Sequence, residues 1–228
     1  MIDQKKSDYL KSQRFNTTFW TDVELLFQNE YHIYLKYVNF DLIFQFNHIC
    51  FSGMKDLSNN LVELLKELSK AKVKFVVCGG VACVLYGVER ATYDIDLSVS
   101  FEKSNLEKIV EVVKNFDLKP RIPEPVENLF DEKKREEWFT KKGALVYTFV
   151  SGSSPLQLDI FLSYPVSYEK LLSNSNEIII DDLKLSVSSI EDLLYVKNLI
   201  NPKRDKDLTD IKELTCIINE RPEKDKSC

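Results

Sequence analysis

Residues 73–100 read VKFVVCGGVACVLYGVERATYDIDLSVS, and this stretch decides the fold. The run Val73–Cys78 is rich in β-branched residues and almost continuously apolar, which predicts a buried strand. A Gly-Gly pair interrupts it, and the apolar segment Val81–Val88 then predicts a short buried helix. Tyr93–Ser100 alternates strictly between polar and apolar residues, which is the period-2 pattern of a half-buried strand. This order of strand, glycine turn, helix and strand predicts the α/β (α+β) class.

The segments on either side add further helices and strands. Ser58 is suitably positioned to cap a helix of residues 59–71, and residues 104–115 have the apolar spacing of an amphipathic helix. Residues 120–135 contain three prolines and a charged run, which predicts a long loop. Further strands are predicted at 144–150, 156–162, 177–180 and 183–187, and a short helix at 168–172.

Two helices are predicted to close the chain. Ser188 and Glu191 form an S-x-x-E capping box for a helix of residues 188–199. The Asn-Pro pair at 201–202 would supply the N-cap and the first residue of a helix of residues 201–219. The chain is therefore expected to end in a helix pair.

The composition limits the classes of function. The chain of 228 residues is 44% hydrophobic and 29% charged, which is typical of a globular protein and excludes disorder. Its 31 Lys+Arg against 36 Asp+Glu give a net charge of -5, which excludes the overall basic field of a general nucleic-acid binder. The five cysteines lack paired C-x-x-C spacing, no apolar signal core begins the sequence, and no uncharged run reaches the length of a membrane span. We therefore expect a cytoplasmic protein without membrane contact.

Residues 1–53 differ from the rest of the sequence. They hold both histidines and 12 of the aromatic residues, and they show neither helical nor strand periodicity. Because Met54 opens a good helix sequence, we predict an N-terminal extension of residues 1–53 and a domain of residues 54–228, with its C-terminal helices from about residue 188. Two interpretations of the extension stay open: translated sequence upstream of a natural start at Met54, or a partner-binding or core-extending segment.

Three carboxylates lie on the polar faces of otherwise apolar strands: Asp94, Asp96 and Asp159. Residues two apart on a strand point to the same side, and a neighbouring strand can bring a third carboxylate within reach of the same cation. Such a trio suits Mg²⁺, and two such ions about 3.5–4 Å apart serve phosphoryl chemistry. A D-x-D pattern alone is more often a solvated strand face, but the three together favour a metal site.

Gly79 and Gly80 offer a place for phosphate. They stand between a buried strand and the start of a helix, where backbone N–H groups without side chains and the positive end of the helix dipole favour an anion. A Gly-Gly turn by itself is usually only a tight connection. Its position before the Asp-Ile-Asp strand joins the phosphate cradle and the metal site in one hypothesis.

The run GGVACVLYGVERATYDIDLSV, residues 79–99, resembles the signature of the DNA polymerase beta-like nucleotidyltransferase superfamily, G-[GS] followed at a distance by [DE]-hydrophobic-[DE]. Its narrower form, GG-x-A…G…R-x-T-x-D-I-D-L, is similar to the AbiEii-like toxin nucleotidyltransferases. The later strand LQLDIF and the C-terminal VKNLINPKRDKDLTDI extend the resemblance, which covers about residues 72–218. It implies a nucleotidyltransferase-type mixed twisted sheet with flanking helices and a C-terminal helix pair.

The resemblance also implies roles for individual residues. Asp94, Asp96 and Asp159 would be catalytic and would ligate two Mg²⁺ ions, with Asp159 also helping to deprotonate the acceptor hydroxyl. The nucleoside triphosphate would be bound by four residues, Gly79, Gly80, Arg90 and Lys197. Arg90 is equally compatible with a structural salt bridge, and Asp207 is an accessory candidate as an acceptor-side or structural carboxylate. An exposed helix face is an equal interpretation of three neighbours, Arg204, Lys206 and Asp210.

The implied function is Mg²⁺-dependent transfer of a nucleoside monophosphate (NMP) from a nucleoside triphosphate (NTP) such as ATP to an acceptor hydroxyl. In the resembled toxins the acceptor can be the 3′ end of tRNA and a cognate antitoxin is expected. Two alternatives stay open: a catalytically silent nucleotide sensor or partner-binding protein of the same fold, and an enzyme that nucleotidylates a small molecule or a protein. A dinucleotide-binding βαβ unit is disfavoured, because G-x-G-x-x-G is absent and the acids would repel a pyrophosphate.

Overall fold

The computed structural model describes residues 52–220, with side chains from residue 60 onward, and a two-residue strand at His32–Ile33. The predicted extension of residues 1–53 therefore lies almost wholly outside the described residues, as does the charged tail after Glu220. Its separation from the domain stays a prediction.

The described residues alternate between helices and strands. The strands are β1 (His32–Ile33), β2 (Phe75–Cys78), β3 (Asp94–Val99), β4 (Leu118–Pro120), β5 (Val146–Ser151), β6 (Gln157–Phe161), β7 (Asn176–Ile180) and β8 (Leu183–Val187). The α-helices are α1 (Ser52–Lys70), α2 (Gly79–Leu85), α3 (Lys103–Asn115), α4 (Glu132–Lys142), α5 (Tyr168–Asn174), α6 (Ile190–Leu199) and α7 (Asp205–Glu220), and a 3-10 helix precedes α4 at Val126–Phe130. In this part of the chain, none of the helices combines the length and the apolar character that crossing a membrane requires.

All these strands belong to one sheet in the order β1-β7-β8-β2-β3-β6-β5-β4. β2 is antiparallel to β3 but parallel to β8, and β3 is parallel to β6, so the sheet is mixed. The predicted class, an α/β (α+β) mixed sheet with flanking helices and a C-terminal helix pair, is confirmed. The Asp-Ile-Asp strand β3 lies in the interior of the sheet, between β2 and β6.

The apolar core explains why the first predicted strand is apolar on both faces. Val77 of β2 belongs to the main core, together with the apolar stripe of α1 and the buried face of α3. Val76 and Cys78 point to the opposite face, where they pack with Leu171 of α5. Both faces of β2 are therefore covered, as in the interior strands of layered α/β folds.

Two predicted helix starts in α1 and α6 are wrong. α1 begins at Ser52, so Ser58 lies inside the helix and does not cap it. The N-cap of α6 is Ser189, whose hydroxyl accepts a hydrogen bond of 3.1 Å from the backbone N–H of Asp192. Ser188 cannot take this role, because it is fully buried and its own N–H continues the sheet by donating to a carbonyl of β2.

The last helix also begins later than predicted. α7 starts at Asp205 instead of at residues 201–202. The Asp207 carboxylate accepts a hydrogen bond of 3.2 Å from the backbone N–H of Arg204, an interaction typical of a first helical turn. A buried acid therefore sets this boundary, and the Asn-Pro pair does not.

The predicted loop at residues 120–135 is partly helical. It contains the 3-10 helix and the start of α4, where the Asp131 side chain accepts hydrogen bonds from the N–H groups of Lys133 and Lys134. Trp138 is the one buried residue of α4, so the helix carries no apolar stripe that sequence periodicity could show. The charged run is the first part of this polar helix.

Candidate active site

The sheet brings the three predicted aspartates together. β3 and β6 are parallel neighbours, and their register pairs Asp96 directly with Asp159 and Asp94 with Gln157. Because alternate residues share a face, Asp94 joins the same side of the sheet. One carboxylate oxygen from each of the three aspartates lies within 4.8 Å of the other two. The spacing that the sequence predicted for a shared cation site is therefore present.

Each carboxylate of this trio is held by a neutral donor. Thr92 Oγ1 lies 2.8 Å from Asp94 Oδ1, and Gln157 Nε2 donates to Asp159 Oδ2 over 2.8 Å. The backbone N–H of Gly80 donates more weakly to Asp96 Oδ2, at 3.4 Å. None of the ion pairs found among the described residues involves the three aspartates, so their charge is not offset by a contacting lysine or arginine.

The surroundings of Asp96 favour its neutral form. Burial is the largest cause that raises the pKa of Asp96, to about 7, and repulsion from Asp94 and then Asp159 adds to it. Asp159 is only 8% exposed, and its Oδ1 has no hydrogen-bond partner among the described residues. A hard divalent cation would neutralise the trio and satisfy this oxygen. The residues present therefore fit a metal ion.

The structure gives the two glycines a second role beside the predicted phosphate cradle. Gly79 has φ +60°, and a Cβ there would lie 1.9 Å from Asp96 Oδ2. A Cβ at Gly80 would lie 2.5 Å from Thr92 Oγ1 and 3.0 Å from an Arg90 nitrogen. Both glycines therefore make room for the groups that form the acidic trio and its supports.

The predicted cationic residues converge on a buried acid of α7. Asp210 is fully buried, and its Oδ2 accepts from Arg90 Nη1 and from Lys197 Nζ, each at 2.6 Å. Asp207, also fully buried, binds the Arg204 guanidinium at 2.7 and 3.0 Å and lies 3.8 Å from Lys197. The helix pair thus holds the three cations in fixed positions.

Sequence reasoning underestimated Asp210. Its interpretation as part of an exposed helix face is wrong, because the side chain is fully buried and carries two ion pairs. The available signal was its spacing: Asp207 and Asp210 are three residues apart and therefore share one face of α7. Arg90 forms a salt bridge with Asp210, which was one of its two predicted roles. It also lines a cavity, as the other predicted role, a phosphate contact, requires.

A cavity of about 710 Å³ opens over the trio and the cations. One part of its wall is polar and holds every predicted metal and nucleotide residue: Gly79, Gly80, Arg90, Asp94, Asp96, Asp159 and Lys197. Another part is apolar and is formed by α6, the end of β6 and the residues that flank β5 and β6: Leu145, Phe161, Tyr164, Leu193 and Val196. Arg204, directly before α7, and Lys206, in its first turn, also line the cavity. The arrangement can hold an anionic ligand with an apolar or heterocyclic part.

A nucleotidyltransferase family matches residues 63–215. This range contains strands β2 to β8, the acidic trio, α6 and most of α7, and the match gives the class of enzyme. The chain belongs to the family described as nucleotidyl transferase AbiEii toxin, Type IV TA (toxin–antitoxin) system. Membership implies a nucleotide substrate and an antitoxin partner, and it favours an enzyme over the silent sensor.

Several solved structures are similar in fold at low sequence identity. The lincosamide antibiotic adenylyltransferase LnuA with lincomycin bound is 16% identical, with a TM-score of 0.49, over 70% of this chain and 96% of that chain. ANT(2")-Ia in complex with adenylyl-2"-tobramycin is 13% identical, with a TM-score of 0.46, over 70% and 90%. JHP933 from Helicobacter pylori is 16% identical, with a TM-score of 0.40, over 69% and 64%. Among curated proteins none matches this chain.

Proposed function

We propose that this nucleotidyltransferase transfers an NMP from an NTP to a hydroxyl at the 3′ end of tRNA, depends on Mg²⁺, and acts in the cytoplasm as the toxin of a toxin–antitoxin pair. The observation that carries the proposal is the convergence of Asp94, Asp96 and Asp159 within 4.8 Å on the wall of a cavity of about 710 Å³. Carboxylates brought together in this way are costly without a cation, and hard oxygen ligands suit Mg²⁺.

The aspartates would hold two Mg²⁺ ions, both through Asp94 and Asp96 and one also through Asp159. When bound, Mg²⁺ would supply charge neutralisation on the transferring phosphoryl group and activation of the attacking oxygen. Asp159 would hold one of these ions and would also help to deprotonate the acceptor hydroxyl. Its Oδ1 is buried and has no hydrogen-bond partner among the described residues, so this oxygen is available to the ion. The acceptor oxygen attacks the α-phosphorus, and the bond to pyrophosphate breaks.

The triphosphate would be bound by Gly79, Gly80, Arg90 and Lys197. Arg90 and Lys197 line the cavity, and their ion pairs to Asp210 fix their positions before a ligand arrives. Donors and cations that are already oriented need little rearrangement to stabilise the charge that develops in the reaction. Binding and orientation are thus the contribution of these residues, as expected for phosphoryl transfer.

Two features support the choice of tRNA: the resemblance to toxins in which the acceptor can be tRNA, and the charges at the cavity. Arg204 and Lys206 line the wall, and the exposed Lys203 lies beside them in sequence, so a polynucleotide backbone would meet a local group of cations. The net charge of -5 includes the three aspartates of the metal site. Local RNA contact is therefore compatible with an acidic chain. Asp207, which holds Arg204, would support this acceptor side.

The test is incubation with each NTP labelled at the α-phosphate, together with Mg²⁺ and total cellular RNA, cell lysate or tRNA. We expect label at the 3′ end of tRNA from the wild type and none after chelation of the metal. Asp94→Ala with Asp96→Ala, and Asp159→Ala alone, should remove the label. Asp182→Ala, in the exposed turn between β7 and β8, is the matched control and should leave it unchanged.

The outcomes separate the parts of the proposal. Label in protein or in a small molecule would overturn the tRNA assignment and retain the transfer reaction. No label in any fraction, together with no metal-dependent NTP binding, would overturn the proposal as a whole.

A further inference from the structure

Asp159 is supported by a side chain that does not touch the cavity. Gln157 lies two residues earlier on β6, on the same face, and its Nε2 donates to Asp159 Oδ2 over 2.8 Å. The Oε1 of the same amide accepts a hydrogen bond from Arg121 Nη2. Neither Gln157 nor Arg121 lines the cavity that the aspartates share. Gln157 lies opposite Asp94 in the register of β3 and β6, but the member of the trio with which its side chain forms a hydrogen bond is Asp159.

The chemistry of the three groups allows one orientation of the amide. A guanidinium has only donors, and an ionised carboxylate has only acceptors. The Gln157 amide carries one of each, so the contact with Arg121 turns Oε1 away from Asp159 and leaves the NH₂ group facing the carboxylate. Without Arg121, the amide can rotate and present its oxygen to Asp159, which would be repulsive.

The sheet fixes Arg121 within reach of Gln157. The backbone N–H of Arg121, directly after β4, donates to the carbonyl of Thr148 on β5 over 2.9 Å. Thr148 in turn is paired with Asp159 in the register of β5 and β6. One strand, β5, thus separates the arginine from the strand of the carboxylate, and backbone pairing across β5 holds Arg121 in place.

The two oxygens of the Asp159 carboxylate have different surroundings. Oδ2 is engaged by Gln157, whereas Oδ1 is buried and has no partner among the described residues. We infer that Gln157, oriented by Arg121, is a positioning residue that fixes the Asp159 carboxylate and keeps Oδ1 free for the metal ion. The inference rests on the proposed function, because it assumes that Asp159 is a metal ligand.

The first experiment measures binding of Mn²⁺ alone to the metal-free protein by electron paramagnetic resonance. Gln157→Met keeps the size of the side chain and removes the donor. Loss of a group that orients a ligand typically weakens metal affinity about 10- to 100-fold. We expect a loss in this range, with the melting temperature in chelator unchanged, because Gln157 is only half-buried. A purely structural role would instead lower the melting temperature and leave Mn²⁺ affinity intact.

A second variant tests the part played by Arg121. Arg121→Met changes an exposed side chain, so this protein folds even if the Gln157 variant does not. We expect it to weaken Mn²⁺ binding in the wild-type background and to have no further effect in the Gln157→Met background. Additive effects of the two substitutions would overturn the role of Arg121.

Asp159→Asn, measured in the same way, separates the positioning role of Gln157 from the proposed metal-binding role of Asp159. If it weakens Mn²⁺ binding and Gln157→Met does not, the positioning role is refuted and the proposed metal site stands. If Asp159→Asn itself binds Mn²⁺ like the wild type, the proposed function of Asp159 fails, and the positioning role fails with it.

Discussion

Asp96→Asn is expected to stabilise the metal-free protein while it abolishes nucleotidyl transfer. Burial, and then repulsion from Asp94 and Asp159, raises the pKa of Asp96 from its ordinary value of 3.8 to about 7. One pKa unit corresponds to about 1.4 kcal/mol, so the ionised carboxylate costs the folded state up to about 4 kcal/mol. Asparagine has the same shape and can still accept the Gly80 N–H, which lies 3.4 Å from Oδ2 in the wild type, but it carries no charge.

The sign of the pH dependence follows from the raised pKa of Asp96. Between its unfolded value of 3.8 and its folded value of about 7, the native state binds more protons than the unfolded state. Wild-type stability therefore falls as pH rises through this window, and the cost is complete above pH 7. Because Asp96 keeps some contact with solvent, we expect a gain from the substitution of about 2–4 kcal/mol above this window and a smaller gain within it.

The assay is urea unfolding in chelator at several pH values across and above this window. Asp182→Asn, in an exposed turn, serves as the control and should change the free energy of unfolding by less than about 0.5 kcal/mol. Adding Mg²⁺ should stabilise the wild type and have much less effect on Asp96→Asn, because ligands stabilise the state that binds them. A gain that is absent above the window, or one that does not change with pH, would refute the reasoning.

Two further substitutions test the glycine turn and the buried ion pairs. Gly79→Ala would place a Cβ 1.9 Å from an Asp96 oxygen at a φ of +60°, so we expect transfer activity to be lost. Gly143 is the control, because it has a similar φ of +64° but open space around it. Gly143→Ala should lower the stability measured in thermal unfolding by about 1–2 kcal/mol and retain activity. Asp210→Asn leaves two mostly buried cations short of a partner and should cost about 3–5 kcal/mol in urea unfolding. The exposed ion pair lost in Asp117→Asn should cost less than about 1 kcal/mol, and equal losses in the two variants would contradict the burial argument.

Local patterns were sufficient to predict the centre of the fold. β2, α2 and β3 were predictable because a covered strand is continuously apolar and a half-covered strand alternates. The acidic trio was predictable for the same reason, since Asp94, Asp96 and Asp159 each interrupt an apolar strand on its polar face. In these segments the periodicity of the sequence and the environment in the fold carry the same information.

The features that sequence did not reveal depend on contacts between distant segments. α4 buries only Trp138, so no periodicity marks it as a helix. Ser188 resembles a cap, but it is drawn into the sheet by a hydrogen bond to β2, and Ser189 takes its place. The orientation of the Gln157 amide depends on Arg121, which is 36 residues away in sequence. Local spacing carries no information about such pairings.

The buried Asp210 links the C-terminal helix pair to the cations that line the cavity. Arg90 lies four residues before the start of the Asp-Ile-Asp strand, and its guanidinium is anchored by a carboxylate 120 residues later in the sequence. The same oxygen anchors Lys197 of α6, so one buried acid sets the positions of two cations that are far apart in the sequence. If α7 were removed, these two cations would lose their shared partner while the three aspartates stayed on the sheet. The family match, which runs from residue 63 to residue 215, accordingly contains both the acidic strands and Asp210.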